Sequence, residues 1–352
     1  MEYPLSLYYD NETADVEILD LWNEENDFRK VYIADDGQRK LVIKYFFSTF
    51  SDRHRIEGWF RLMEEYRKTG LYCPAVIPNR HGELLHCDIV DGKDYYIYAE
   101  EFSVYKTAKQ IGEDKFTDDL GHYCFLPDVL RSVGKIASAH LDILDRPSAY
   151  CLLEPFCSPD TTDEATECAL EFVKYVRENL PYHVSRAETL LELFYQRQEE
   201  LRAVYSLLPT SCFQADLGNS NILLDAENKF AGLIDFNLCG KEPVLNYAVR
   251  AALWRISDKR LYGENNRCLY FYDRGLDDLR NRLFLENISY IQENYRFSSF
   301  EKDVFPILFR YMNSFWWEHL SEIEAVREDD SKIEQLFDWL ELQMTRDDIR
   351  LP

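Results

Sequence analysis

Gln214-Ala-Asp216-Leu-Gly-Asn-Ser-Asn221-Ile-Leu-Leu-Asp225, followed shortly by Ala231-Gly-Leu-Ile-Asp235-Phe236, is the stretch that decides how this chain reads. Ile222–Asp225 and Phe230–Ile234 are short apolar runs joined by Ala226-Glu-Asn-Lys229, a pattern that predicts two strands in a hairpin. Asn221 stands just before the first strand and Asp235 at the end of the second, so closing the hairpin brings their side chains to the same end. Asp216 sits on the loop leading into that end. Two carboxylates and one carboxamide are hard oxygen donors, suited to Mg²⁺ rather than Zn²⁺.

Upstream, the period of the sequence is that of strands. Asp15–Trp22 alternates, Phe28–Ala34 follows after a polar stretch, and Asp36-Gly37 reads as a tight turn into Lys40–Phe46. One helix comes next, with Ser51 or Asp52 as N-cap, Ile56, Phe60, Met63 and Tyr66 at helical spacing, and Gly70 as its stop. Glu83–Val90 and Tyr95–Glu101 form a second hairpin closed by Asp91-Gly92. Beyond Phe102 the period turns helical, over Leu130–Leu144, Asp163–Leu180 and Arg186–Leu207, with three or more helices from Leu245 onward. The expected fold is therefore α+β and two-lobed: a small antiparallel sheet with one helix over residues 1–101, and a mainly helical part over 102–352 that contains the hairpin. A ligand cleft is expected between the lobes.

Composition narrows the function. The 352 residues carry 40 Lys+Arg and 64 Asp+Glu, a net charge of −24, which argues against a non-specific nucleic-acid binder. Hydrophobic residues at 46% exclude wholesale disorder. No apolar run reaches the length of a membrane span; Val304–Leu320 is interrupted by Arg310 and Glu318. Nine cysteines without CxxC spacing, and a start Met1-Glu-Tyr-Pro4 lacking the features of a signal peptide, point to reduced thiols and a cytoplasmic protein.

The pattern D-x-x-x-x-N-I-L at Asp216–Leu223, followed by I-D-F at Ile234–Phe236, resembles the phosphotransfer core of the aminoglycoside phosphotransferase and choline kinase family. Homoserine and methylthioribose kinases share that core, and all have a protein-kinase-like fold. The resemblance implies Asp216 as catalytic base and Asn221 and Asp235 as Mg²⁺ ligands. It implies that Lys44 binds the α- and β-phosphates of ATP, or GTP, and that Glu57 orients Lys44. It further implies that the hinge backbone at Glu100 and Phe102 bonds the adenine, which Val42, Leu223 and Ile234 sandwich. Leu130-x-x-x-Gly134-x-x-Ala137-x-x-His140-Leu141 is similar to the family's helix before the catalytic loop. The expected activity is transfer of the γ-phosphoryl group to a hydroxyl of a small molecule. No A-P-E motif follows Asp235, as a protein kinase would require.

The sequence departs from the family pattern in four respects. Gln214 and Gly218 replace histidines, the phosphate loop Asn23–Asp27 has no glycine, Asp235-Phe-Asn237 replaces D-F-G, and Asn246 replaces an aspartate in Gly240-Lys-Glu-Pro-Val-Leu-Asn246. Gln214, Gly218 and Asn246 motivate an alternative, a nucleotide-binding pseudoenzyme or regulatory protein of the same fold. The acidic composition favours a cationic, amine-bearing acceptor. Phe315-Trp316-Trp317 suits core packing of a C-terminal helix better than a box for a cationic headgroup, which the same rings would also make.

Overall fold

The computed structural model describes residues 4–9, 14–24, 27–156 and 162–352. The first three strands, β1 (Asp15–Glu24), β2 (Asp27–Asp35) and β3 (Lys40–Ser48), form a meander. Its second turn works as its residues suggest: Asp36 accepts from the amides of Gln38 and Arg39, and Gly37 takes φ 80°. Asp52 caps helix α1 (Arg53–Lys68) by accepting from the Arg55 amide, and Gly70, at φ 89°, follows its end. β4 (Val76–Ile77), β5 (His86–Val90) and β6 (Lys93–Glu101) complete a six-stranded sheet in the order β1-β2-β3-β6-β4, with β5 also on β6. All its pairings are antiparallel.

The chain then passes through β7 (Lys106–Thr107) and α2 (Ala108–Ile111) into α3 (Leu126–Ala139), α4 (Glu164–Asn179) and α5 (Val184–Tyr205). Strands β8 (Thr210–Phe213), β9 (Ile222–Leu224), β10 (Phe230–Leu233) and β11 (Gly240–Pro243) follow. Helices α6 (Val244–Trp254), α7 (Arg274–Gln292), α8 (Ser299–Met312), α9 (Trp317–Ala325) and α10 (Asp330–Thr345) complete the chain. The expected hairpin is β9–β10, with β7 added on its β9 edge. α3 starts and ends earlier than its apolar pattern suggests. Pro127 lies in its first turn, and His140 adopts the left-handed conformation at φ 46°, which stops it before Leu144. The β8–β11 pair was not expected, because four-residue strands carry too little alternation to be read.

Two cores explain how the sheet is held. Its outer face packs Leu41, Ile43, Ile97 and Ala99 under Leu5, Leu7, Tyr8 and Tyr9. Its inner face gives Phe46, Tyr96 and Tyr98 to a much larger core that includes Trp59 and Tyr66 of α1, Ile222 and Leu224 of β9, and the helices. A single continuous core thus runs from the sheet into the helical part. Glycines allow close backbone approaches in it, two of them at Gly134 and Gly232. A Cβ on Gly134 of α3 would lie 2.3 Å from the Ile291 carbonyl of α7. A Cβ on Gly232 of β10 would lie 1.9 Å from the Tyr72 carbonyl. At Gly232 the segment after α1 bonds β10 directly, Leu233 N to Tyr72 O at 3.0 Å and Tyr72 N to Ala231 O at 3.1 Å.

A methyl group at Gly232 would force this junction apart. Gly232→Ala is predicted to destabilise the protein by about 1–3 kcal/mol in thermal or denaturant unfolding. An unchanged or raised stability, the usual result of Gly→Ala at an unconstrained site, would show that the contact between Tyr72 and β10 is not tight.

Candidate active site

β3 aims alternate residues to opposite faces, so Leu41 and Ile43 enter the outer core while Val42, Lys44 and Phe46 face inward. The β3–β6 register sets Lys44 opposite Tyr98 and Val42 opposite Glu100, which places Glu100 diagonal to Lys44 on the same face. Lys44 Nζ lies 3.2 Å from Glu100 Oε1 and 3.3 Å from Asp235 Oδ1. Burial alone would lower its pKa, but Asp235 and Glu100 outweigh it and hold the ammonium well above the ordinary lysine value. Burial pushes the Glu100 carboxyl up, and Lys44 opposes that shift.

The hairpin closes as its sequence suggests. The Ile234 amide donates to the Asn221 carbonyl at 3.0 Å, so Asn221 and Asp235 flank one end of β9–β10. Asp216 lies on the loop before Asn221, with its Oδ1 accepting from the Gly218 amide at 3.3 Å. The side-chain amide of Asn221 donates to the Asp216 carbonyl, also at 3.3 Å. Burial, seconded by the negative charge of Asp235, raises the Asp216 carboxyl above the usual aspartate value. Lys44, Asp216, Asn221 and Asp235 are thereby brought to one place from distant parts of the chain.

Other expectations are corrected. Glu57 does not meet Lys44. It is on the exposed face of α1, 3.4 Å from Arg53, while the buried face of that helix carries Ile56, Trp59 and Met63. The carboxylate beside Lys44 is the side chain of Glu100, a role the sequence reading did not give it. The Phe102 amide, expected to meet adenine, donates to the Lys40 carbonyl at 3.1 Å and is spent within the sheet. Val42 is half-buried on the inner face of β3, and Ile234 is half-buried just after β10. Leu223 is buried, yet it points away from the core that Ile222 and Leu224 join. The middle of the expected phosphate loop, residues 25 and 26, lies outside the described residues.

Sequence reasoning missed the role of Gln214. Its side-chain amide donates to the carbonyls of Ile234 at 3.0 Å and Asp235 at 2.7 Å, while its Oε1 accepts from the Asp216 amide at 2.7 Å. Its own backbone amide donates to Tyr66 Oη. Gln214 therefore ties the Asp216 loop to the Asp235 loop, more completely than an imidazole with one donor and one acceptor would. Two residues in these loops sit in the left-handed region, Ala215 at φ 60° and Asp235 at φ 57°. For alanine this is strained, at a cost of about 1–3 kcal/mol that the Gln214 bonds offset. Asn246 has a comparable explanation. Its side-chain amide donates to the buried Glu242 carboxyl, which also accepts from Ser148 at 2.6 Å. An aspartate at that position would set one buried acid against another. Burial pushes Glu242 up to about 7.

The cavity lined by Lys44, Phe46, Trp59, Tyr98, Asp235 and Asn237 measures about 50 Å³, little more than a water molecule needs. The buried Asn237 Oδ1 has no hydrogen-bond partner. Among the described residues no cluster of three or more His, Cys, Asp or Glu would hold a metal unaided. Asn221 and Asp235 nonetheless fit Mg²⁺, which takes one or two protein oxygens and completes its shell with phosphate and water. A cation, the Lys44 ammonium, already rests on Asp235.

No protein-family model matches the chain, and no curated protein matches it in sequence. Solved structures do match it. A microcompartment-associated aminopropanol kinase aligns over 97% of this chain and 93% of its own, with a TM-score of 0.51 and 13% identity. The amicoumacin kinase hAmiN, in complex with AMP-PNP, Ca²⁺ and Ami, aligns over 97% and 91%, with a TM-score of 0.52 and 11% identity. The chain has the fold of these small-molecule kinases. The resemblance read from Asp216, Asn221 and Asp235 thus holds at the level of the fold. Among the described residues, no helix of this kinase-like fold is long and apolar enough to cross a membrane.

Glu100→Gln removes the buried charge beside Lys44, and Glu57→Gln removes only a solvated one. If the site binds nucleotide, the first substitution is predicted to weaken ATP binding at least about tenfold, or about 1.4 kcal/mol, and the second to leave it unchanged. Calorimetric titration with ATP checks this. Equal effects would return the lysine-orienting role to α1.

Proposed function

We propose that this protein is a small-molecule kinase that transfers the γ-phosphoryl group of ATP, or GTP, to a hydroxyl. The observation that carries this reading is the contact of Lys44 with Asp235, which joins the inner face of the sheet to the hairpin that also presents Asn221 and Asp216. The mechanism rests on positioning and electrostatics. Lys44, oriented by Glu100, pairs with the α- and β-phosphates. Mg²⁺ held by Asn221 and Asp235 would neutralise phosphate charge as it develops in transfer. Asp216 aligns the acceptor hydroxyl and takes its proton. The acceptor oxygen then bonds the γ-phosphorus, the bond from that phosphorus to the β,γ-bridging oxygen breaks, and ADP leaves with the electron pair. Val42, Leu223 and Ile234 supply apolar surface for the purine.

The 50 Å³ cavity is far below the several hundred Å³ that a nucleotide fills. Binding therefore separates Lys44 from Asp235, and phosphates take the place of that carboxylate at the ammonium. Gln214 and Asn246, which motivate the pseudoenzyme alternative, both have structural roles here that leave Asp216, Asn221, Asp235 and Lys44 in place.

Asp216→Asn is predicted to lower kcat by about 10²–10⁴-fold while Mg·ATP affinity stays nearly constant. Equal loss of both would make Asp216 structural. The base must be deprotonated to act, so kcat should fall as pH drops through the Asp216 value. Because burial raises that value, the acid limb is expected above the pH at which a free aspartate, pKa about 3.9, titrates. A pH profile of kcat flat down to the free-aspartate range would contradict this assignment.

A further inference from the structure

A second cavity, of about 440 Å³, opens in the helical part and is lined by Trp254, Tyr270, Arg280, Trp316, Trp317 and Glu318 among others. Its aromatic wall leads to the catalytic loop. Trp254 and Trp316 meet edge to face at 5.3 Å, and Trp254 meets Tyr150 at 5.4 Å. Arg255, the residue after Trp254, donates to Asn219 Oδ1 at 2.6 Å on the loop that carries Asp216. Phe315 packs in the core against Phe172 and Phe194, as expected, whereas Trp316 and Trp317 line this cavity.

Its charges are few and of both signs. Glu164 is held by Arg250 at 2.8 Å. Glu318 makes no ion pair among the described residues and is open to solvent; the protein crowded around it raises its carboxyl above the usual glutamate value, and the nearby Arg280 charge opposes that shift. Arg280 is only 9% exposed. Among the described residues its one hydrogen bond is from Nη1 to Asn313 Oδ1 at 3.0 Å, it stacks 5.0 Å from the centre of the Tyr270 ring, and no carboxylate pairs with it. A buried guanidinium left without a carboxylate costs free energy unless a ligand supplies the anion.

We propose that this cavity is the acceptor site and that the acceptor carries one ammonium and one anionic group, as a hydroxylated amino acid does. The ammonium meets Glu318 and the exposed Trp317 ring, since the Arg250 guanidinium already lies over Trp254 at 3.6 Å and Trp316 at 5.1 Å. The anionic group pairs with Arg280, and the hydroxyl extends along Tyr150 toward Asp216. The overall charge of −24 is not concentrated here, and Arg280 repels a polycation. The placement of the hydroxyl rests on the phosphotransfer reading above; the ammonium and anion sites do not.

The test is calorimetric titration with L-homoserine and L-serine (zwitterions), 3-aminopropan-1-ol (a monoamine) and kanamycin (a polycation), each with Mg·AMP-PNP, alongside ADP release with Mg·ATP. At least one of the two amino acids should bind at least tenfold more tightly than either of the other probes. Arg280→Met should weaken the amino acid at least tenfold and leave the monoamine unchanged, which also reports that the variant is folded. Glu318→Gln should weaken both. Tighter binding of kanamycin or the monoamine, or an Arg280→Met protein that binds the amino acids normally, overturns the proposal and leaves phosphotransfer standing. Amino-acid binding with the expected variant pattern but no ADP release supports the site and contradicts the kinase reading.

Discussion

A lysine ammonium with only 15% of its side chain exposed must have negative charge beside it, and much of this structure serves to supply that charge from two directions. Glu100 comes from the neighbouring strand at fixed register, and Asp235 from a hairpin nearly two hundred residues later. Holding Asp235 there requires the hairpin to be seated firmly against the sheet. Gly232 allows that by letting Tyr72 bond β10 without a side chain between them. The large continuous core, with Phe46, Trp59 and Tyr66 meeting Ile222 and Phe236, fixes the same relation through packing. The pairing of Lys44 with Asp235 also leaves only about 50 Å³ of space beside them.

Two residues that depart from the family's pattern, Gln214 and Asn246, have structural roles here. Gln214 spends its side-chain amide on two carbonyls and its oxygen on the Asp216 amide, and so locks the two loops that carry the acidic groups. Asn246 provides a donor where the buried Glu242 needs one. The carboxylate beside Lys44 comes from strand β6, where the resemblance implies one from helix α1. With Glu57 turned to solvent and Trp59 lining the cleft, shifts of α1 would act on the shape of the cavity and not on the charge beside Lys44.

The parts legible in the sequence were those governed by local rules. The Asp36-Gly37 turn, the Asp52 cap and the β9–β10 hairpin each follow from a few adjacent residues, and the hairpin alone was enough to bring Asn221 and Asp235 together. Where the reading failed, the deciding relation was across strands or around a helix. Glu57 was assigned by its position in a familiar order, but helical phase turns it outward from the buried Ile56 and Trp59. The register that sets Glu100 opposite Val42, on the face of Lys44, pairs β3 with β6 across the intervening α1, β4 and β5, so no local pattern gives it. The hydrogen bonds of Gln214 and the unpaired charge of Arg280 depend on contacts between distant segments, which no local pattern encodes.

The most direct test is a crystal structure with Mg²⁺ and AMP-PNP bound. The account predicts the phosphates in the cleft between the sheet and the β9–β10 hairpin, with Lys44 still on Glu100, released from Asp235 and contacting phosphate oxygens. Asn221 and Asp235 would hold the metal, and Asp216 would stand free on the acceptor side of the γ-phosphate. A nucleotide bound elsewhere, or Lys44 still paired with Asp235 beside an occupied cleft, would contradict it.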